Sequence, residues 1–376
     1  MNCLAFDIGG ANVKFSDGMI RTGCVPLALW QAPHRLAETL RGIVATFPAD
    51  VAIGVTMTGE LADCFPTKSA GVRHILEAVA AAADGLPVHV YLVDGRWASA
   101  DAAGAEPLLA AASNWHALAR FATRYVRSET ALLLDIGSTT CDLIPLVNGW
   151  PAAQGRTDTQ RLLAGELVYT GIERSPLCAV VGQVPYRGRL CPVAQELFAT
   201  MRDVYLVLGE LPEQADDTQT ADGRPATRHA AVARLARVIC ADETEFDQQD
   251  ARELAAAAAD AQAEQLAAAF CTVLGRWGFS RGPVSPRLES RLGEPQPRGP
   301  VSPRLEQRLG EPQPRGPAEC LSLILSGHGD CLARRVLARV AYAGNIVPLA
   351  ARLGSEASRA ATAYALAVLQ REEFER

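Results

Sequence analysis

Two short segments of the sequence carry the residue types that bind phosphate groups. The first reads LAFDIGGANVKF over residues 4–15, and the second reads LLLDIGSTTCDLIPL over residues 132–146. Each is an apolar run followed by Asp-Ile-Gly, a small polar turn and a second apolar stretch, which indicates a β-hairpin. Because Asp7 and Asp135 lie 128 residues apart, the second half of the chain resembles a diverged copy of the first.

The polar groups of these two turns fit a di- or triphosphate. Glycine in a turn lets backbone amides approach an anion closely, and an aspartate at a strand end can hold Mg²⁺ or its waters. We therefore expect the two hairpins to face each other and clamp a phosphate chain, although either hairpin alone is compatible with an ordinary tight turn. The candidate binding residues are Gly9, Gly10, Asn12, Gly137, Ser138, Thr139 and Thr140, and the candidate Mg²⁺ ligands are Asp7 and Asp135.

A third glycine turn lies late in the chain, in CLSLILSGHGD at residues 320–330. Its pattern of strand, glycine turn and helix aims a helix N-terminus at an anion. Gly327, His328 and Gly329 are therefore candidate nucleotide or phosphate contacts. His328 fits either a proton carrier or a structural histidine.

The composition narrows the functional class. The 36 basic residues comprise 34 Arg and only two Lys, and both lysines, Lys14 and Lys68, lie in motif-like stretches.

A net charge of −6 argues against general nucleic-acid binding, and no apolar run is long enough for a membrane span. The N-terminus shows no signal-peptide pattern, and the ten cysteines form no C-x-x-C pair. These features predict a cytoplasmic protein with reduced thiols, and they leave the oligomeric state open.

Alternating strands and helices must position these turns. Residues 4–29 read as a strand meander, and 57–75 read largely as a loop that crowds Glu60 against other polar residues. Later patterns predict a strand over 177–184 and a helix over 192–207. Residues 281–297 and 298–314 form a tandem repeat rich in Pro and Gly, which is typical of a disordered surface insert.

The arrangement resembles the acetate and sugar kinase, heat-shock 70 and actin superfamily. The resemblance implies an α/β, two-lobed actin-like ATPase (ribonuclease H-like) fold with duplicated mixed-sheet domains and a central cleft. It places the N-terminal lobe at 1–128 and the C-terminal lobe at 129–376, with the disordered insert at 281–317. The segments DIGGANVKF, MTGELADCFPTKSAGV, DIGSTTCDLIPL and TDTQRLLAGELVYTG are more closely similar to the hydantoinase/oxoprolinase-related family linked to tetrahydromethanopterin C1 transfer.

That family resemblance implies a transferase of methanofuran- or methylofuran-type cofactor biosynthesis. An (aminomethyl)furanmethyl diphosphate would lose diphosphate, and a tyramine- or tyrosine-type phenol would attack the CH₂ carbon to give an aryl ether. Lys14 and the hairpin donors would hold the diphosphate, with Mg²⁺ near the paired aspartates. A carboxylate must take the phenol proton, and the candidates are Asp142, Glu60 and Glu166.

Two other functions use the same hairpins. An ATP-dependent small-molecule kinase or hydantoinase/oxoprolinase-type ATPase would bind ATP, with Gly327 and Gly329 near the adenosine. A nucleotide-gated binding protein would need a large partner-binding domain after the core, and we expect none in this chain.

Overall fold

The structure, a computed structural model, describes residues 2–126, 128–276 and 321–375. The predicted insert at 281–317 lies outside the described residues. In the described ranges, two six-stranded sheets and one short hairpin form the β-structure. The strands are β1 Cys3–Ile8, β2 Asn12–Ser16, β3 Thr22–Pro26, β4 Ala52–Met57, β5 Val88–Tyr91, β6 Trp97–Ala98, β7 Thr130–Ile136, β8 Cys141–Val147, β9 Trp150–Pro151, β10 Leu167–Val168, β11 Gln183–Tyr186, β12 Arg189–Pro192, β13 Ser322–Gly327 and β14 Ile346–Pro348.

The two large sheets repeat one topology. The first has the order β3-β2-β1-β4-β5-β6, and the second has the order β10-β8-β7-β13-β14, with β9 beside β8. In the first, β1 is antiparallel to β2 and parallel to β4, which is parallel to β5. In the second, β7 is antiparallel to β8 and parallel to β13, which is parallel to β14. This repeated order and direction confirms the duplicated, actin-like α/β fold.

Helices cover the sheets and close the cores. The helices Leu36–Val44 and Lys68–Ala83 pack against the first sheet. The helices Met201–Leu208, Arg228–Val238, Gln248–Arg276 and Asp330–Arg339 pack against the second. The helices are α1 Leu36–Val44, α2 Lys68–Ala83, α3 Ala100–Ala105, α4 Pro107–Ala110, α5 Asn114–Ala122, α6 Asp158–Leu163, α7 Leu177–Val180, α8 Met201–Leu208, α9 Arg228–Val238, α10 Gln248–Arg276, α11 Asp330–Arg339, α12 Ala350–Leu353, α13 Ser355–Arg359 and α14 Ala361–Phe374.

Helices α5 and α14 lie between the two sheets. Ala117 of α5 and Leu366 of α14 share a buried cluster with the first sheet, and other residues of both helices share one with the second. Gln370 of α14 also hydrogen-bonds His89 of β5 at 3.1 Å. The lobe boundary at residue 128 stays a prediction. The assignment of 129–376 to the second lobe also stays a prediction, and within that range α14 packs against both sheets.

Three local predictions differ from the structure. The loop predicted over 57–75 ends at Thr67, whose hydroxyl accepts from the Ala70 amide at 3.1 Å and starts α2. The strand predicted over 177–184 is a short helix followed by β11, and β11 pairs with β12. The helix predicted over 192–207 begins only at Met201, where Thr200 and Asp203 form a capping box.

In the part of the chain that the structure describes, no helix combines the length and apolarity needed to cross a membrane.

We expect His116, between the sheets, to make stability depend on pH. It is 7% exposed, and burial lowers its pKa to about 3. The Tyr91 hydroxyl lies 2.9 Å from its Nδ1, and burial raises the pKa of Tyr91. The unfolded histidine titrates near pH ~6.5, so stability present above that pH falls as pH drops toward 3, by about 2 kcal/mol at pH 5.

Urea denaturation of wild type and His116→Gln between pH 5 and pH 8 measures this loss. Glutamine offers both a donor and an acceptor to Tyr91 and does not titrate, so the variant should show a smaller loss of free energy at low pH. His229→Gln is the matched control, because His229 is exposed. Equal acid sensitivity in His116→Gln and wild type would contradict the prediction.

Candidate active site

One cleft between the lobes contains both predicted phosphate hairpins. It encloses about 460 Å³. Asp7 and Lys14 of the first hairpin line it, as do Asp135 and Asp142 of the second. All of the turn residues proposed from the sequence also line it, namely Gly9, Gly10, Asn12, Gly137, Ser138, Thr139 and Thr140. The two hairpins therefore face a shared space, as a phosphate clamp requires.

The two hairpins close in the same way. The Gly9 amide donates to the Asn12 carbonyl at 2.9 Å, and the Gly137 amide donates to the Thr140 carbonyl at 2.9 Å. A Cβ at Gly10 would meet no atom within 4 Å, so the backbone of this bend borders open space of the cleft. The side chains of these turns supply one amide and three hydroxyl groups on the surface of the cleft.

The first hairpin pairs a carboxylate with a lysine. Asp7 of β1 lies directly opposite Lys14 of β2 in the strand register. Burial raises the pKa of Asp7, and the nearby Lys14 ammonium opposes that rise. Asp7 is 6% exposed, and its Oδ1 has no hydrogen-bond partner among the described residues. A buried oxygen without a donor is costly, which suits an atom that meets a cation or water from the cleft.

The second hairpin has an aspartate where the first has the lysine. Asp135 of β7 lies opposite Asp142 of β8, and burial together with the Asp142 charge raises the pKa of Asp135 to about 6. Asp142 forms a close ion pair with Arg161 of α6, which also contacts Asp158 at 3.4 Å. The Arg161 guanidinium stacks 4.4 Å from the Trp115 ring centroid. Arg161 therefore offsets part of the negative charge of this wall, whereas the Lys14 charge acts on Asp7 and Asp135.

The loop at 171–175 fixes the second hairpin. The amides of Glu173 and Arg174 both donate to the Ser138 carbonyl, at 3.1 and 2.9 Å. A Cβ at Gly171 would lie 2.5 Å from the Ser138 carbonyl and the Thr139 amide, so only glycine permits this approach. The Ser175 hydroxyl accepts from the Gly171 amide at 2.8 Å. This loop therefore sets the position of the hydroxyl-rich turn.

The third glycine turn supports the site and does not line the cleft. The His328 amide donates to the Ile136 carbonyl at 3.1 Å, and a Cβ at Gly327 would lie 2.0 Å from that oxygen. A Cβ at Gly329 would meet the Ile136 side chain at 2.1 Å. The His328 ring lies 3.3 Å from Glu173, and this contact lowers the pKa of Glu173. The role of these three residues as nucleotide contacts stays a prediction.

The first lobe contains a counterpart of this turn that the sequence did not reveal. Met57 pairs with Ile8 as Gly327 pairs with Ile136, so Thr58 corresponds to His328. The Thr58 amide donates to the Ile8 carbonyl at 2.9 Å. Thr58 lines the cleft, whereas His328 does not.

The remaining candidate carboxylates have different surroundings. Glu166 is 1% exposed, and its two oxygens accept from the Gln154 and Gly155 amides at 2.8 and 3.0 Å. Glu60 is also 1% exposed, but neither of its oxygens has a hydrogen-bond partner among the described residues. Burial raises the pKa of Glu60 to about 7, although its own amide and that of Ala112 lie near enough to oppose the rise. Neither glutamate lines the cleft itself.

The cleft has several residues to which we assigned no role from the sequence. Arg161 and Arg174 add cations, and the exposed rings of Trp30 and Tyr169 lie at its edge. Arg161 and Tyr169 lie in a segment with many charged residues, but no short motif marks them. Their place depends on pairing between β8 and β10, in which Asp142 lies opposite Leu167, 25 residues further along the chain.

The donor set of the cleft fits Mg²⁺ and not a metal held by protein alone. Among residues 2–126, 128–276 and 321–375, no group of three or more His, Cys, Asp or Glu side chains is placed to hold a metal ion. Mg²⁺ commonly uses one or two carboxylates together with water and substrate phosphates. Asp7, with its unpartnered buried oxygen, and Asp135 meet that requirement.

Comparison with known proteins agrees with the resemblance of the sequence motifs to the hydantoinase/oxoprolinase-related family. The profile of the hydantoinase/oxoprolinase family matches residues 52–282. A (4-{4-[2-(gamma-L-glutamylamino)ethyl]phenoxymethyl}furan-2-yl)methanamine synthase from Methanocaldococcus jannaschii is 33% identical over 242 residues, which is 64% of this chain and 72% of the relative. The synthase of the same name from Methanococcus vannielii is 34% identical over 127 residues, 34% of this chain and 57% of the relative.

Among solved structures, an inorganic polyphosphate/ATP-glucomannokinase from Arthrobacter matches 98% of each chain at 14% identity, with a TM-score of 0.38. The family profile covers more than half of the chain, and the match to the M. jannaschii synthase covers more than two thirds of that relative. This chain therefore belongs to the hydantoinase/oxoprolinase family.

Proposed function

We propose that the protein condenses an (aminomethyl)furanmethyl diphosphate with a tyramine- or tyrosine-type phenol and releases diphosphate. The product would be an aryl ether of a methanofuran- or methylofuran-type cofactor. The observation that carries the proposal is the single cleft in which two phosphate-type hairpins face each other around Lys14. The name of the relatives, which are one-third identical, supplies the furan, phenol and ether.

The first part of the proposed reaction is departure of diphosphate. The C–O bond between the furan CH₂ and the diphosphate breaks, and its electron pair leaves with the diphosphate. Lys14 and the Gly10 amide would stabilise the charge that grows on the leaving oxygens. Hydroxyl groups of Ser138 and Thr139 would add donors from the opposite lobe. The furan ring shares the positive charge that develops on the CH₂ carbon.

The residues of the cleft also fit Mg²⁺, which we propose as a cofactor. Asp7 and Asp135 would hold it, either directly or through water. When bound, Mg²⁺ would neutralise charge on the diphosphate and so make it a better leaving group.

The second part is attack by the phenol oxygen on the CH₂ carbon, with loss of the phenol proton to a carboxylate. Of the three candidates, Glu166 accepts two amide hydrogen bonds and Asp142 is paired with Arg161. Glu60 has no such partner among the described residues, and its pKa of about 7 suits proton transfer near neutral pH. Asp142 lines the cleft whereas the two glutamates do not, so the proposed proton acceptor stays one of these three carboxylates.

Incubation of the purified protein with Mg²⁺, the furanmethyl diphosphate and tyramine or tyrosine tests the proposal. We expect the aryl ether by mass spectrometry, with one diphosphate released for each ether formed. ATP with the same phenols serves as the comparison, because the kinase and ATPase alternative would use this cleft for ATP. Phosphate release from ATP that depends on the small-molecule substrate, without ether formation, would contradict the synthase.

A further inference from the structure

The mouth of the cleft has an aromatic and cationic contact between the lobes. The Arg174 guanidinium carbon lies 5.4 Å from the ring centroid of Trp30. Trp30 follows β3 in the first lobe, and Arg174 belongs to the loop that fixes the second hairpin. Both residues line the cleft, together with Tyr169 and Leu61.

The apolar surface at this mouth is unusually exposed. Trp30 is 38% exposed, Leu61 52% and Tyr169 62%, whereas Asp7 inside the cleft is 6% exposed. Large, partly exposed apolar side chains that line one cleft are a typical surface for binding an aromatic ring. The surface is continuous with the phosphate hairpins, so a ring bound there would lie beside whatever the hairpins hold.

Arg174 has a free charge at this surface. Its backbone amide is held by the Ser138 carbonyl, but its guanidinium forms no ion pair with a carboxylate in the described ranges. The nearby arginines differ, because Arg161 pairs with Asp142 and Arg202 pairs with Asp217 at 2.6 Å. A guanidinium placed over an aromatic ring, as that of Arg174 is over Trp30, can bind a carboxylate through two N–H groups.

We propose that Trp30, Tyr169 and Arg174 form the acceptor subsite, and that the acceptor is a phenol whose side chain ends in a carboxylate. The ring would lie against the two aromatic side chains, and Arg174 would bind the carboxylate. This inference rests on the proposed function, and it selects a tyrosine-type or γ-glutamylated acceptor over tyramine. Lys14 lies near Asp7 and Asp135, so the diphosphate has its own cation and does not require Arg174.

Isothermal titration calorimetry with L-tyrosine, γ-glutamyltyramine and tyramine tests this subsite without turnover. Wild-type protein should bind one of the two carboxylated phenols about 10-fold more tightly than tyramine, as expected for a charge-assisted hydrogen-bonded pair. Arg174→Gln should remove that preference and leave tyramine binding unchanged. Arg174→Lys keeps the charge but loses the planar fork, so it should recover only part of the preference. Arg189→Gln, an exposed arginine of β12 outside the cleft, is the matched control.

Several results would overturn the subsite. One is equal affinity of wild type for tyramine and for both carboxylated phenols. Another is a preference for a carboxylated phenol that survives in Arg174→Gln. The third is that Arg174→Gln weakens the binding of inorganic diphosphate and not that of the acceptor. Circular dichroism of each variant checks its folding. A variant that misfolds is replaced by Trp30→Leu, which should weaken the binding of all three phenols together. Binding as expected, without ether from the furanmethyl diphosphate, would refute the proposed reaction alone and retain the subsite.

Discussion

Replacing Lys14 with glutamine should lower turnover by on the order of 10²–10³-fold, the range seen when one preorganised group that stabilises transition-state charge is removed. The ammonium lies opposite Asp7 and within electrostatic reach of Asp135, so it is the cation shared by both hairpins. Glutamine is one atom shorter than lysine and keeps a donor, but it loses the charge that a departing diphosphate needs. Steady-state rates of ether formation measure the effect.

The matched control is Lys68→Gln, which changes the only other lysine of the chain. Lys68 is the first residue of α2 and does not line the cleft, so its rate should stay near that of wild type. Lys14→Gln also leaves the buried Asp7 without its cation, and we expect a small fall in Tm that Asp7→Asn in the same chain reverses. A near-normal rate in Lys14→Gln would show that the diphosphate is held elsewhere.

The hairpins could be predicted because their chemistry is local in sequence. Gly9 and Gly137 occupy equivalent bends, 128 residues apart, and both amides close the same turn. The alternation of apolar runs and turns likewise predicted the strands that carry Asp7 and Asp135, and the duplicated sheets follow from it. A contact whose residues all lie within about ten positions of one another in the sequence could be predicted from the pattern of residue types alone.

Contacts between distant segments could not be predicted in this way. Arg161 reaches Asp142 from a different element, and Gly171 touches Ser138 only because two loops meet at the edge of the second sheet. The correspondence of Thr58 with His328 becomes visible only from the strand register, because the residue types differ. Likewise, the packing of α14 on the first sheet depends on tertiary contacts such as that between Gln370 and His89.

The second large effect that we expect is a loss of stability when the glycine turn after β13 is changed. Gly327→Ala should lower the free energy of unfolding by about 3 kcal/mol or more, since it combines two costs. Gly327 has a φ of +83°, a conformation that alanine adopts only with strain. Its new Cβ would also lie 2.0 Å from the Ile136 carbonyl oxygen, which belongs to the strand backbone and cannot rotate away. Thermal or urea denaturation measures the loss.

Gly42→Ala is the control, because Gly42 lies within α1 and a Cβ there would meet no atom within 4 Å. This change should stabilise the protein by up to about 1 kcal/mol through helix propensity alone. Because Ile136 directly precedes Gly137, relief of the clash at Gly327 must displace the second hairpin. The folded fraction of Gly327→Ala should therefore also bind inorganic diphosphate more weakly than Gly42→Ala. Wild-type stability and diphosphate affinity in Gly327→Ala would mean that this turn does not set the position of the phosphate hairpin.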